Sequence, residues 1–367
     1  WKKKSEGEVF VLIYDKQGNL VASDKQTINI AKNSAENVNF QLQLDNPQLW
    51  SPESPYLYKA VVNVKNTKDN MSDQIETRFG VRTLEFSAEK GFLLNGKSIL
   101  LQGGCIHHDN GLLGAAAYDA AENRKITLLK NEGFNALRTA HNIPSEHFLN
   151  ACDSIGMMVI DESFDQWLRA KNPDDYHQYF EEYSDRDMQT MILRDRNHPS
   201  IIMWSIGNEI PGRITTEGQA VAARLRNTIL SLDSTRAITA AIPEWDDFRH
   251  SWEDDNNLAF KSLDVGGYNY LYDKYESDHK SYPNRVMVGL ETYPKRASEN
   301  WVLAEKLPYV IGDFVWTAMD YLGESGIGSA SFRTSGNQPF SPGWPWFNGW
   351  CVIKLYTSGK LRHLQFC

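Results

Sequence analysis

Between residues 99 and 316 eight apolar runs alternate with amphipathic stretches, and this alternation restricts the fold more than any other feature. The runs are ILLQGGC (99–105), FNALRTA (134–140), MMVID (157–161), IIMWSIG (201–207), AITAA (237–241), LDVGGYNY (263–270), RVMVGL (285–290) and YVIGDFVW (309–316). Segments 119–133, 145–156, 216–233 and 298–306 fall between them and carry apolar residues at helical spacing. Eight strands in strand-then-helix order over about 250 residues predict a (β/α)₈ barrel. A doubly wound open sheet is the alternative, but six strands suffice for it. No GxGxxG follows a strand, and GESGIG (323–328) has the wrong spacing and comes after the last run.

Residues 1–85 follow a different period. VFVLIYD (9–15), INIA (28–31), VNFQLQLD (38–45), YLYKAVVNVK (56–65) and SDQIETRFGVR (72–82) are short β-type runs separated by turn clusters such as DKQGN and NTKDN. The pattern predicts a small antiparallel sandwich over 1–85, a support domain with no concentration of catalytic side chains, followed by the barrel domain over 86–367. With 38 basic and 47 acidic residues the formal net charge is −9, which leaves no electrostatic footprint for nucleic acid or an anionic membrane. No apolar run approaches the length of a membrane span. Four cysteines without a CxxC make neither a disulfide framework nor a metal knuckle. The chain opens at Trp1 without a signal-peptide pattern and so reads as starting within a longer protein or after processing.

In a barrel of this kind the reactive groups lie at the C-terminal ends of the strands. The first run ends in His107, His108 and Asp109, and the second in Arg138, His141 and Asn142. The third ends in Asp161 and Glu162, the fourth in Asn208 and Glu209, and the sixth in Tyr268, Asn269 and Tyr270. The seventh delivers Glu291 and the eighth Trp316. A polar ring above an apolar barrel costs stability unless its members are partnered, so a site is the simplest explanation.

Glu209 and Glu291 stand out because a fully apolar strand carries each to the mouth, and the fourth and seventh strands face each other across a barrel. Paired carboxylates flanking a bond are the minimal apparatus for glycoside hydrolysis. A structural ion pair with a nearby arginine is the alternative for either one. HHD (107–109) with His141 downstream invites a metal reading. Adjacent residues on a strand point to opposite sides, however, and neither HxH nor HExxH occurs, so sugar contacts or core packing are preferred. No GxSxG marks a hydrolytic serine. Trp316 reads as a wall for the apolar face of a pyranose, with core filling as the alternative.

The ordered set MWSIGNEI (203–210), FLLNGKSILLQGGCIHHDNG (92–111), NALRTAHNIPS (135–145), MVIDES (158–163), VGLETYP (288–294) and GDFVWTAMDY (312–321) resembles glycoside hydrolase family 2, its β-galactosidase-type branch in particular. PQLWSPESPYLY (47–58) and RFGVRTLEF (78–86) are similar to that family's immunoglobulin-like domain leading into the barrel. The resemblance covers roughly residues 8–351. It implies a retaining exo-β-glycosidase acting on terminal β-D-galactosides, with Glu209 as acid/base, Glu291 as nucleophile and their carboxyls about 5–5.5 Å apart. Asn208 matches the asparagine that holds the sugar 2-hydroxyl, His107, His141 and Trp316 match the sugar subsite, and Tyr270 matches a tyrosine beside the nucleophile. Arg138, from its place at the mouth, is expected to support the nucleophile through its forked donors.

The resemblance is incomplete in several places. The jelly-roll sugar-binding domain that precedes the sandwich in the family is not in this sequence, and VIKLYTSGKLRHLQFC (352–367) departs from the family's pattern, which puts the last barrel helix in doubt. Gln166 and Leu168 fall where the metal-dependent members carry magnesium ligands, so no metal and no cofactor are expected. The Asn-x-Lys signature of the family's glucuronidases does not follow the eighth run. β-Glucoside, β-mannoside and β-glucuronide hydrolysis remain the alternatives, along with an inactive carbohydrate-binding fragment.

Overall fold

A computed structural model of the chain describes residues 5–68, 71–244, 252–319, 352–357 and 360–365. The chain divides into two compact units, Trp1–Arg82 with Asn197–Pro199, and Thr83–Arg196 with Ser200–Cys367. In the first unit β1 (Ser5–Tyr14), β2 (Leu20–Ile30), β3 (Tyr58–Asn66) and β4 (Ser72–Phe79) form an antiparallel sheet in the order β2-β1-β3-β4. The DKQGN cluster makes the β1–β2 turn. The Asp15 carboxylate accepts the backbone N–H groups of Gln17 and Asn19 at 2.9 and 2.8 Å, and Gly18 takes a φ of 86° that a side chain would resist.

One strand expectation needs correcting. Residues 38–45 join no ladder among the described residues. Their alternation is nonetheless used, because Phe40, Leu42 and Leu44 pack onto the buried Val11, Ile13 and Tyr58 while Asn39, Gln41 and Gln43 are exposed. The period-2 pattern encodes which side chains are buried, whereas a ladder also needs a free strand edge at hand. The segment thus covers the apolar face of the sheet, and the unit is an immunoglobulin-like β-sandwich.

The second unit opens with a small sheet of β5 (Leu84–Ser87), β6 (Gly91–Leu94) and β7 (Lys97–Ser98). Eight parallel strands then close on themselves. They are β8 (Leu101–Ile106), β9 (Ala136–Thr139), β10 (Met158–Glu162), β11 (Ile201–Asn208), β12 (Ala237–Ile242), β13 (Val265–Asn269), β14 (Val286–Thr292) and β15 (Val310–Val315), the last pairing with β8. Each of the eight apolar runs contributes one of these strands, in order. Nearly every strand residue is buried, as a parallel sheet covered on its outer face by helices requires. Gly103 on β8 makes room for the Phe314 ring of β15, since a Cβ there would lie 2.3 Å from the ring.

The helices are α1 (Asp119–Asn131), α2 (Glu146–Ile155), α3 (His177–Asp195), α4 (Thr216–Leu232), α5 (Trp252–Ala259), α6 (Tyr275–Ser281) and α7 (Ala297–Lys306). Local chemistry sets the ends of α2 and α4. The Ser145 hydroxyl accepts from Phe148 N–H, the Thr215 hydroxyl accepts from Gly218 N–H, and Gly156 closes α2 in the left-handed region. α3, α5 and α6 are additions to the four helical segments read from sequence. In α3 the inward stripe of Phe180, Ser184, Met188, Met191, Ile192 and Asp195 contains a serine and an aspartate, which blurs its apolar period. The doubt over the last barrel helix falls on residues 352–367, and their described part is strand rather than helix. Val352–Thr357 and Lys360–Gln365 form an antiparallel hairpin, β16 and β17. Among the described residues no helix is long and apolar enough to cross a membrane.

Candidate active site

The barrel mouth is organised around Arg138 at the end of β9, whose side chain is fully buried. Its Nε donates to Glu162 Oε2 at 3.0 Å, and one terminal nitrogen donates to both Glu162 oxygens at 2.8 and 2.9 Å and to Asn208 Oδ1 at 2.8 Å. The other donates to Glu291 Oε1 at 2.9 Å and to the Leu290 carbonyl at 3.3 Å. One guanidinium therefore joins groups from β10, β11 and β14, a task its fixed fork suits.

Glu162 accepts further from the Ser205 hydroxyl at 2.6 Å and meets His141 Nδ1 at 2.8 Å. Burial alone would raise this carboxyl. Arg138, His141 and Ser205 overcome that and hold it down at about 2, so it is charged across the neutral range. Arg138 shares that side of the ring, one of its terminal nitrogens lying 3.2 Å from Nδ1, and Nε2 lies 3.3 Å from the Asn208 amide nitrogen. The ring lies flat against Trp316, with centroids 5.1 Å apart and planes within 6°, and His107 meets the same indole edge-on at 5.2 Å. Burial, followed by the neighbouring His141, pushes His107 down to about 4, so its ring is neutral near pH 7. His108 diverges, its Nε2 lying 3.1 Å from the Ala115 carbonyl. Among the described residues no group of three or more His, Cys, Asp or Glu side chains is arranged to hold a metal ion.

Two strained corners aim the remaining groups. Glu209, just past β11, has φ 45°, and Tyr270, just past β13, has φ 62°. Non-glycine residues in this region cost about 1–3 kcal/mol and persist only where the surroundings over-determine them. The Glu209 N–H is held by the Ala241 carbonyl at 2.8 Å and the Tyr270 N–H by the Glu291 carbonyl at 2.7 Å. So directed, the Tyr270 hydroxyl donates to Glu291 Oε2 at 2.7 Å, opposite the oxygen that Arg138 holds. Glu291 is 4% exposed. Glu209 accepts from Asn269 Nδ2 at 2.9 Å. Burial raises the Glu209 carboxyl above its ordinary value and the Glu291 charge raises it further, with Asn269, Lys171 and Arg138 opposing. Asn208 Oδ1 takes donors from Arg138 and Asn269, while its Nδ2 donates to Asp165 Oδ1 at 2.9 Å.

The structure thus brings Arg138, His141, Asn208, Glu209, Tyr270, Glu291, His107 and Trp316 together in one connected cluster at the strand ends. Strand-end reading reaches Glu162 and Asn269 without giving either a part, although Glu162 is the main partner of Arg138. Asp165 and Lys171 lie in the loop after β10, where neither period nor motif marks them. Replacing Arg138 by methionine leaves Glu162 and Glu291 buried without their cation. Arg138→Met is expected to lose about 3–5 kcal/mol, read as a lower urea midpoint, and an unchanged midpoint would show that the network is not structural.

The description "Glycosyl hydrolases family 2, TIM barrel domain" matches residues 87–320, and "Glycosyl hydrolases family 2" matches residues 2–82. A β-galactosidase of Bacteroides ovatus is 31% identical over 77% of this chain and 41% of its own length. A β-glucuronidase of Paenibacillus borealis is 26% identical over 91% of this chain and 59% of its own. The crystal structure of a glycosyl hydrolase family 2 member from Bacteroides cellulosilyticus superposes with a TM-score of 0.83 at 44% identity, covering 91% of this chain and 42% of that one. The chain spans about two fifths of the length of these two Bacteroides proteins. Barrel, sandwich and sequence matches agree, and the chain belongs to glycosyl hydrolase family 2.

Proposed function

We propose that the chain carries the active site of a retaining exo-β-glycosidase that releases terminal non-reducing β-D-galactose. The observation that carries this reading is the unlike treatment of two carboxyls at one barrel mouth. Burial and a neighbouring negative charge favour the protonated form of Glu209, while Glu291 is a buried acceptor for a guanidinium and a phenol. Retaining hydrolysis needs that asymmetry.

In the first step a Glu291 oxygen attacks the anomeric carbon while Glu209 gives its proton to the departing glycosidic oxygen. The bond to the aglycone breaks as the glycosyl ester forms. Esterification removes the Glu291 charge, the Glu209 carboxyl drops in pKa, and it takes a proton from the water that attacks the ester. The second displacement restores the original configuration. His141 and Trp316 offer a wall for the pyranose face. His107 Nε2 and Asn269 Oδ1 are buried without a hydrogen-bond partner among the described residues, and sugar hydroxyls supply both donors and acceptors. By the same reading the working division of the chain lies near residue 85, with the sandwich as support for the catalytic barrel.

The choice of galactose rests on the family branch that the sequence motifs resemble, and it agrees with the printed name of the B. ovatus relative. The name of the P. borealis relative makes glucuronides the main competitor. A panel of nitrophenyl β-galactoside, β-glucoside, β-mannoside and β-glucuronide separates them. Turnover of the galactoside is expected to exceed each of the others by about tenfold or more, because the glucoside inverts one hydroxyl, the mannoside two, and the glucuronide adds a carboxylate, each of which leaves a polar partner in the site unmatched. A glucuronide preference would overturn the galactoside assignment and leave the mechanism standing.

A further inference from the structure

The Asn208–Glu209 peptide is gripped at both of its polar groups. Its N–H goes to the Ala241 carbonyl of β12, and its carbonyl accepts from Lys171 Nζ at 2.9 Å. The same ammonium lies 2.6 Å from Asp165 Oδ1, the oxygen that also accepts the Asn208 side-chain amide. Lys171, Asp165 and Asn208 thus form a closed triangle behind the strained corner that aims Glu209. Rotation about that corner would turn the carbonyl away from the ammonium.

The loop is built to hold Lys171 in place. The backbone N–H groups of Lys171 and Asn172 both donate to Asp175 Oδ2 at 2.8 Å, and Asp175 Oδ1 accepts the His177 N–H at 3.1 Å where α3 begins. The Lys171 side chain is largely buried, at 17% exposure, so its charge is poorly screened. Ordering a long side chain costs about 1.5–2 kcal/mol of rotamer freedom, which a surface ion pair alone barely offsets. The carbonyl contact gives that ordering a purpose.

We propose that Lys171 is a positioning residue that, with Asp165, clamps the Asn208–Glu209 peptide and so holds Glu209 in the conformation from which it works on the glycosidic oxygen. This rests on the acid/base reading of Glu209. A lysine suits the task because one ammonium has three rotatable donors and reaches a carbonyl and a carboxylate together. Its charge also acts on Glu209. The groups that surround that carboxyl are Glu291 from β14, Arg138 from β9, Tyr270 from the end of β13 and Lys171 from the loop after β10. Glu291 raises it, and Lys171 and Arg138 lower it.

The test compares Lys171→Gln with Lys171→Arg by carbon NMR titration of the Glu209 carboxyl, identified as the resonance lost in Glu209→Gln, and by pH profiles of kcat/KM. In Lys171→Gln the carboxyl is expected to titrate about half a unit or more higher, and the basic limb of the profile should move up with it. Its kcat should fall about 10–100-fold with KM changed by less than about threefold. Lys171→Arg, which keeps charge and donors, should retain the wild-type titration. A folded Lys171→Gln with wild-type titration and kcat would overturn the proposal. If Lys171→Gln does not fold, Asp165→Ala frees the ammonium from its anchor, and unchanged kcat in that variant would overturn it equally. A wild-type chain that turns over no glycoside would remove the glycosidase reading alone, because the NMR titration needs no turnover and still decides whether Lys171 governs Glu209.

Discussion

Replacing Glu291 by alanine is expected to lower kcat on an aryl β-galactoside by about 10⁴–10⁶-fold, the scale seen when a covalent nucleophile is removed. Glu291 sits at the end of β14 with one oxygen on Arg138 and the other on Tyr270. Another carboxyl of the cluster, Glu162, is turned to Arg138, Ser205 and His141. Alanine also leaves space for a small anion. Azide entering there attacks the anomeric carbon once, and the product should be a glycosyl azide of inverted configuration. Residual turnover within about tenfold of wild type, or an azide product of retained configuration, would show that Glu291 is not the nucleophile.

Glu209→Ala should separate substrates by leaving group. With a poor leaving group the loss is expected to be about 10²–10⁴-fold, since the departing oxygen no longer receives a proton. With a dinitrophenyl group the first step needs no such help, and a burst of phenol should precede slow hydrolysis of the ester. Azide should speed that second step and give a product of retained configuration, because two displacements have occurred. The wild-type pH profile follows from the same carboxyl. Burial and the Glu291 charge raise Glu209, and on the proposed acid role its protonated form is the active one in the first step. Activity should therefore persist toward neutral pH and fall as pH rises through the raised value, and this basic limb should vanish in Glu209→Ala with the dinitrophenyl substrate. Equal losses on good and poor leaving groups would argue against the acid role.

How far these residues could be read in advance depended on whether a local pattern carried them. The eight barrel strands were legible because parallel strands buried on both faces leave uninterrupted apolar runs, and the strand ends then pointed to Asn208, Glu209 and Glu291. Arg138 was legible for the same reason, standing where the apolar ALRT run of β9 meets the mouth. The partners that make these residues work were less so. Glu162 lies beside Asp161 on one short strand, and only the closed barrel shows which of the two faces Arg138. Lys171 and Asp165 sit in a loop whose fold is set by the Asp175 carboxylate and by Asn208, a residue 37 positions from Lys171. No period runs through such a loop. Residues 38–45 show the opposite case, a clean period-2 pattern without a ladder, because burial of alternate side chains does not by itself supply a strand edge.

The proposed mechanism turns on a covalent ester between Glu291 and the sugar. A 2-deoxy-2-fluoro-β-galactoside with a dinitrophenyl leaving group slows both steps and the second more, so the ester accumulates. The wild-type chain should gain the mass of one fluorogalactosyl group in intact-protein mass spectrometry, and peptide mapping should place it on Glu291. A folded chain that gains no such mass, or carries it on another side chain, would show that Glu291 is not the nucleophile.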